Sequence, residues 1–199
     1  FYPYNASYDG VIKACDRSLA RLKTDYLDLY LLHWRSSVPL SETLAALQQL
    51  KQVGKILDYG VSNFDRDDMQ EALSVPGGDE IATNQVLYNL RHRGIEWDLL
   101  PWCKQHSLPI MAYSPVEQRA FVNHPQLKAI GWRHHATPTQ IALNWLLRQD
   151  NIISIPKAID PKHIQENRAA MDLILTAEDL TELDRVFTCP SHKMTLAMR

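Results

Sequence analysis

The chain has 199 residues, 45% hydrophobic and 22% charged, which suits one globular domain or a piece of a larger protein. A net charge of −2 gives no electrostatic case for nucleic acid or an anionic membrane, and no apolar run approaches the roughly 20 residues that span a bilayer. Without a basic-then-apolar leader or CxxC spacing among Cys15, Cys103 and Cys189, a cytoplasmic protein with reduced thiols is expected.

The spacing of Val11, Ile12, Cys15, Leu19 and Leu22 predicts a helix over 9–22. The apolar run YLDLYLLHW (26–34) reads as a strand buried on both faces. LSETLAALQQLKQVGK (40–55) reads as a helix that opens on a capping pattern at Ser41 and ends near Gly54. LDYGVSNF (57–64) is strand-like up to the polar pair Ser62–Asn63. DRDDMQEAL (65–73) is a short helix with acidic residues in its first turn, as the helix dipole favours. EIATNQVLYN (80–89) is the next strand, and GIEWDLLPWCKQH (94–106) a helix that Pro101 bends. LPIMAYSPV (108–116) gives another strand. TPTQIALNWLLRQ (137–149) gives a helix with Thr137 as cap and Pro138 at its first position. IISIPKA (152–158) is the last strand, before helices over 160–171 and 176–187.

Strands alternating with helices imply parallel β/α units. No GxGxxG follows a strand, so a Rossmann nucleotide site has no support. His134 and His135 lack acidic or cysteine companions at ligand spacing, and no metal is expected. The polar residues are placed more tellingly. His33, Ser62–Asn63, Asn84–Gln85, Tyr113–Ser114 and Lys157 all fall at or near the ends of successive strands. A buried imidazole without partners costs about 1–3 kcal/mol, so His33 alone reads as a satisfied core histidine. Recurrence on five strands favours the other reading, since in a (β/α) barrel these ends form the active-site face.

The stretches DYLDLYLLHW, GKILDYGVSNF, TNQVLYN, MAYSP and IPKAIDPKHIQEN, in this order over nearly the whole chain, resemble the aldo-keto reductases. In texture the chain is most similar to bacterial members of that family that reduce small aldehydes such as methylglyoxal. The resemblance implies an α/β fold, the (β/α)8 TIM barrel, binding NADPH across the strand ends and passing a hydride to a small carbonyl substrate. It matches His33 to the histidine that polarises the carbonyl, and Trp34 to a wall of the substrate pocket. It matches Ser62, Asn63 and Gln85 to the residues that hold the nicotinamide carboxamide. Tyr113 matches the ring on which the nicotinamide stacks, with Ser114 beside it in the cofactor site. Lys157 matches the lysine on the 2′-phosphate or pyrophosphate, while Glu166 and Asn167 match the adenine contacts.

Two departures from the family pattern carry expectations of their own. Ala158 and His163 stand where many members have serine and a 2′-phosphate arginine, and Asp160 adds negative charge nearby. A bidentate arginine is the better phosphate partner, so NADH enters as a second cofactor beside NADPH. The family's aspartate, proton-donor tyrosine and lysine lie on strands that precede YPYNA. The expectation is therefore a single domain over 1–199, truncated at its amino end and lacking roughly three of eight strands, inactive alone. The rival readings are a non-catalytic nicotinamide-binding regulatory relative, like the potassium-channel β-subunits, and an unrelated TIM barrel.

Overall fold

The structure is a computed structural model that describes residues 1–118 and 120–199. It contains two units, Phe1–Gln85 and Val86–Arg199. In the first, helix α1 (Tyr8–Leu22) opens at Ser7, whose hydroxyl accepts from the Gly10 amide, and buries Val11, Ala14, Cys15 and Leu19. Strand β1 (Leu27–Leu32) follows. On it Tyr30 and Leu32 are buried, Leu27, Leu29 and Leu31 on the opposite face are half-buried, and Asp28 is exposed, so the strand is covered fully on one face toward its carboxyl end and in part on the other.

Helix α2 (Leu40–Gln52) sets Leu40, Leu44, Leu47 and Leu50 on one buried stripe. Each such leucine contributes about 1.5–3 kcal/mol relative to exposure. The expected cap at Ser41 is not formed. Pro39 occupies the cap position without a side-chain bond, and the buried Leu40 anchors the helix one residue before the hydroxyl. Strand β2 (Ile56–Ser62) pairs with β1 in parallel, from Leu27 with Ile56 to Leu32 with Val61. Helix α3 (Arg66–Leu73) starts in a capping box between Asp65 and Asp68.

Strand β3 (Ile81–Leu87) pairs in parallel with β2, and a register shift between Tyr59 and Val61 brings Ser62 opposite Gln85. Gly60 lies in that shift. A Cβ there would sit 2.5 Å from the Thr83 carbonyl oxygen, so the close backbone approach requires glycine.

In the second unit the helix expected over 94–106 is broken. A 3₁₀ turn (Gly94–Glu96) precedes helix α4 (Leu99–Gln105), because Asp98 takes the cap position and accepts from the Leu99 amide at 2.8 Å. Pro101 therefore falls in the first turn, where its missing N–H is harmless, and bends nothing. Strand β4 (Ile110–Tyr113) pairs in parallel with β5 (Ile152–Ser154). Between them lie α5 (Pro125–Arg133) and α6 (Pro138–Leu147), the latter opened by the expected Thr137 cap with Pro138 in its first turn. Helices α7 (Pro161–Ala169) and α8 (Ala177–Val186) close the chain, capped by Asp160 and Thr176.

The β1–β2, β2–β3 and β4–β5 pairings are all parallel, and strands alternate with helices, the pattern of a barrel-type α/β fold. Among the described residues no helix is long and apolar enough to cross a membrane.

Candidate active site

The carboxyl ends of β1, β2 and β3 are tied by side chains that the sequence singled out. Asn63 Nδ2 donates to the His33 carbonyl oxygen at 3.0 Å and to Ser62 Oγ at 3.2 Å. Ser62 Oγ donates to the Gln85 carbonyl oxygen at 2.8 Å, which also accepts from the Asn63 amide. One short network thus holds His33, Ser62, Asn63 and Gln85 at one end of three parallel strands. Asn84 has a different job. Fully buried, it donates to the Phe64 carbonyl oxygen at 2.8 Å and accepts from the Phe64 amide, stapling the chain beyond β2 to β3.

Asn63 leaves β2 with φ +57, a left-handed conformation that asparagine tolerates better than most residues. Its buried amide converts that turn into a lock on the backbone of His33.

The His33 imidazole sits among aromatic rings. Tyr2 stacks on it at 5.2 Å with 6° between planes, and Trp34 meets it edge-on at 4.7 Å. His33 Nδ1 is buried with no hydrogen-bond partner among the described residues. Such a nitrogen is worth attention because buried polar atoms are satisfied in the great majority of cases, and exceptions gather at functional sites.

In the second unit, β4 ends at Tyr113, and Ser114 turns the chain with φ +50. The Ser114 carbonyl oxygen accepts from Asn89 Nδ2 at 2.8 Å, and Tyr113 Oη accepts from the Arg199 amide at 3.1 Å. Burial pushes the Tyr113 phenol above its usual range, against a smaller opposing effect of Arg199, so it stays protonated at neutral pH.

A cavity of about 660 Å³ lies beside the chain after β5, and Lys157, His163, Glu166 and Asn167 all line it. The structure thus gathers four of the predicted cofactor residues in one place. The amino ends of α6 and α7 reach the same cavity through Thr137, Pro138, Thr139 and Asp160, and helix amino ends favour anions. Asp160 is less of an obstacle to a phosphate than its charge suggested, since its carboxylate accepts from the Lys162 amide at 2.8 Å as the cap of α7.

Two residues of these sites went unassigned in the sequence. Tyr2, stacked on His33, was visible only as one aromatic in FYPY. Glu117 lies in the loop after β4 with a side chain only 2% exposed, bonded to Asn89 and His92. Nothing local distinguishes it from a solvated loop glutamate.

Known proteins bear on these sites. A sequence model of the Aldo/keto reductase family matches residues 1–187. The chain is 46% identical to methylglyoxal reductase YeaE of Escherichia coli K12, over 99% of this chain and 71% of that one. It is 34% identical to glyoxal reductase of Bacillus subtilis 168, over 89% of this chain but 63% of the relative's length. The crystal structure of an aldo/keto reductase from Klebsiella pneumoniae in complex with NADP and acetate superposes with a TM-score of 0.97 at 45% identity, covering 100% of this chain and 72% of that one. With a family match over nearly its whole length and this closeness in sequence and fold, the chain belongs to the aldo/keto reductase family.

Proposed function

We propose that this protein reduces small aldehydes and ketones of the methylglyoxal type to alcohols, with NADPH as reductant and NADH as a weaker substitute. The observation that carries the reading is the strand-end lock on His33, joined with the kinship to a methylglyoxal reductase and a glyoxal reductase. When bound, the nicotinamide supplies the hydride. The residues of this chain do the rest.

His33 donates a hydrogen bond from its ring to the carbonyl oxygen, where negative charge develops, and its fixed backbone means little reorganisation is needed. Trp34 and Tyr2 supply an apolar wall against which a small carbonyl compound loses water. Ser62, Asn63 and Gln85 hold the nicotinamide carboxamide. Because the Ser62 hydroxyl already donates to the Gln85 carbonyl, Ser62 presents an acceptor to the carboxamide N–H groups. Tyr113 stacks on the nicotinamide ring, with Ser114 turning the chain beside it.

The cavity after β5 suits the adenosine end of the cofactor. Two helix amino ends and Lys157 favour phosphate there, His163 adds a ring donor, and Glu166 and Asn167 offer groups of both kinds to adenine. A lysine and a histidine in place of an arginine weaken the preference for the 2′-phosphate without abolishing it.

In this reading residues 1–199 alone do not reduce aldehydes at an enzymatic rate. General-acid donation contributes about 10²–10⁴-fold, and the resemblance assigns it to a tyrosine and lysine that lie ahead of YPYNA. The test is NADPH oxidation with methylglyoxal, comparing residues 1–199 with the protein extended through those groups. Rapid turnover in the extended protein alone supports the reading. Comparable turnover in both sinks the proton-donor assignment, and no turnover in either sinks the activity.

A further inference from the structure

Glu117 is a buried carboxylate with no part in holding the cofactor or the carbonyl compound. Its surroundings lie wholly in the second unit. Asn89 Nδ2 donates to its Oε2 at 2.8 Å, His92 Nε2 lies 3.2 Å from its Oε1, and the Arg199 guanidinium pairs with the same Oε1. Burial pushes its carboxyl up, but the bonds from Asn89 and His92 and the charge of Arg199 outweigh that and hold it below the usual range. It is therefore an anion at neutral pH.

The backbone around it is held in an unfavourable form. Glu117 and Gln118 take φ +49 and φ +47, left-handed positions that glycine normally fills. Strained residues persist where the surroundings over-determine them, and they gather at ligand clamps and switch segments.

What Glu117 over-determines is the far end of the chain. Residues 189–199 contain no helix or strand, yet they are tethered along their length. Arg93 donates to Cys189 Sγ at 2.7 Å, Lys193 pairs with Asp98 at 3.7 Å, and Met194 lies 3.5 Å from where a Cβ on Gly94 would be. The last tether is the pair of Arg199 contacts, guanidinium to Glu117 and amide to Tyr113 Oη. A segment without helix or strand is thus led across the unit to the ring at the end of β4.

We propose that Glu117 is a positioning residue that latches Arg199, so that residues 189–199 form a strap over Tyr113 and hold a nicotinamide nucleotide against that ring. The inference rests on the reading of Tyr113 as the stacking residue. Latching fixes the tilt of Tyr113 through its hydroxyl, and unlatching frees the strap for nucleotide to leave. Lid opening of this kind often limits turnover.

The experiment uses the natural full-length protein, with NADPH release followed by stopped-flow fluorescence and exchange of the 190–199 amides followed by mass spectrometry. Arg199→Ala is expected to speed release about fivefold or more with little change in association, as is usual when one complex is weakened. Arg199→Lys recovers most of the loss. Glu117→Gln matches Arg199→Ala, and the double variant is no faster than the faster single one, because both remove one contact. NADPH protects the 190–199 amides in the wild type and not in Arg199→Ala, and the KM for NADPH rises while kcat does not fall. Release within twofold of wild type in Arg199→Ala, or protection that survives the substitution, refutes the strap. A wild-type protein that binds neither NADPH nor NADH refutes the reading of the site and the strap with it, whereas tight binding with unaltered release refutes the strap alone.

Discussion

Removing the Asn63 side chain tests whether the strand ends are held as the structure has them. Asn63→Ala deletes the 3.0 Å bond to the His33 carbonyl oxygen and leaves that acceptor short of a partner, at a cost of about 1–3 kcal/mol. It also puts an alanine at φ +57, which adds roughly 1 kcal/mol beyond what asparagine suffers there. The sum is about 2–4 kcal/mol. Asn63→Gly keeps the conformation and loses the side-chain bonds that alanine also loses, so it is milder than alanine by roughly 1 kcal/mol. Asn63→Asp fits the turn but sets a carboxylate oxygen against a carbonyl oxygen, and is expected to be at least as damaging as glycine. Urea unfolding of the full-length protein measures all three. An alanine variant within about 0.5 kcal/mol of wild type, or a glycine variant worse than alanine, refutes the lock.

Lys157→Ala is expected to weaken NADPH binding by about 1–3 kcal/mol and NADH binding by much less, because bonds to charged groups are the strong ones. Equal weakening in parallel titrations places Lys157 on the shared pyrophosphate instead. Asp179 is buried beneath Arg133 and His134, and its carboxylate accepts from the Thr176 amide as the inner half of the capping box that opens α8. Burial opposes its charge, but bonds from Arg133, Thr176 and His134 outweigh that and hold its carboxyl well below the usual range. A depressed folded-state pKa means that its stabilisation is complete above the unfolded carboxylate value near 3.9 and is lost as pH falls further. Asp179→Ala should therefore lower stability by about 2–4 kcal/mol at pH 7 and flatten the acid limb of the stability profile. A variant that parallels wild type from pH 5 to pH 2 contradicts this.

Local chemistry made much of this molecule readable. The apolar runs before His33, Asn63 and Ser114 are strands that end there, and Gln85 lies two residues before the end of β3, because short apolar runs bounded by polar residues mark buried strands. Thr137 with Pro138 announced α6, since cap and first turn are set within four residues. The failures have the same logic reversed. Ser41 looked like a cap, but burial of Leu40, a tertiary fact, moved the start of α2. The helix over 94–106 looked continuous until Asp98 took its own cap.

Distance in sequence hid the rest of the site. Glu117 is made by partners 28 and 82 residues away, Asn89 and Arg199, and no local pattern encodes such a meeting. The same holds for Tyr2, whose stacking on His33 joins the first residues of the chain to the end of β1.

The most direct test of the central claim is methylglyoxal reduction by His33→Gln in the full-length protein, with NADPH affinity measured alongside. Glutamine keeps a donor but not its placement, and the loss of a well-aimed donor at the developing oxyanion typically costs about 10²–10³ in kcat. The account predicts a fall of that size in kcat with NADPH binding within about twofold of wild type, since His33 serves the carbonyl and not the cofactor. Turnover near the wild-type rate, or a loss that lies entirely in NADPH affinity, contradicts it.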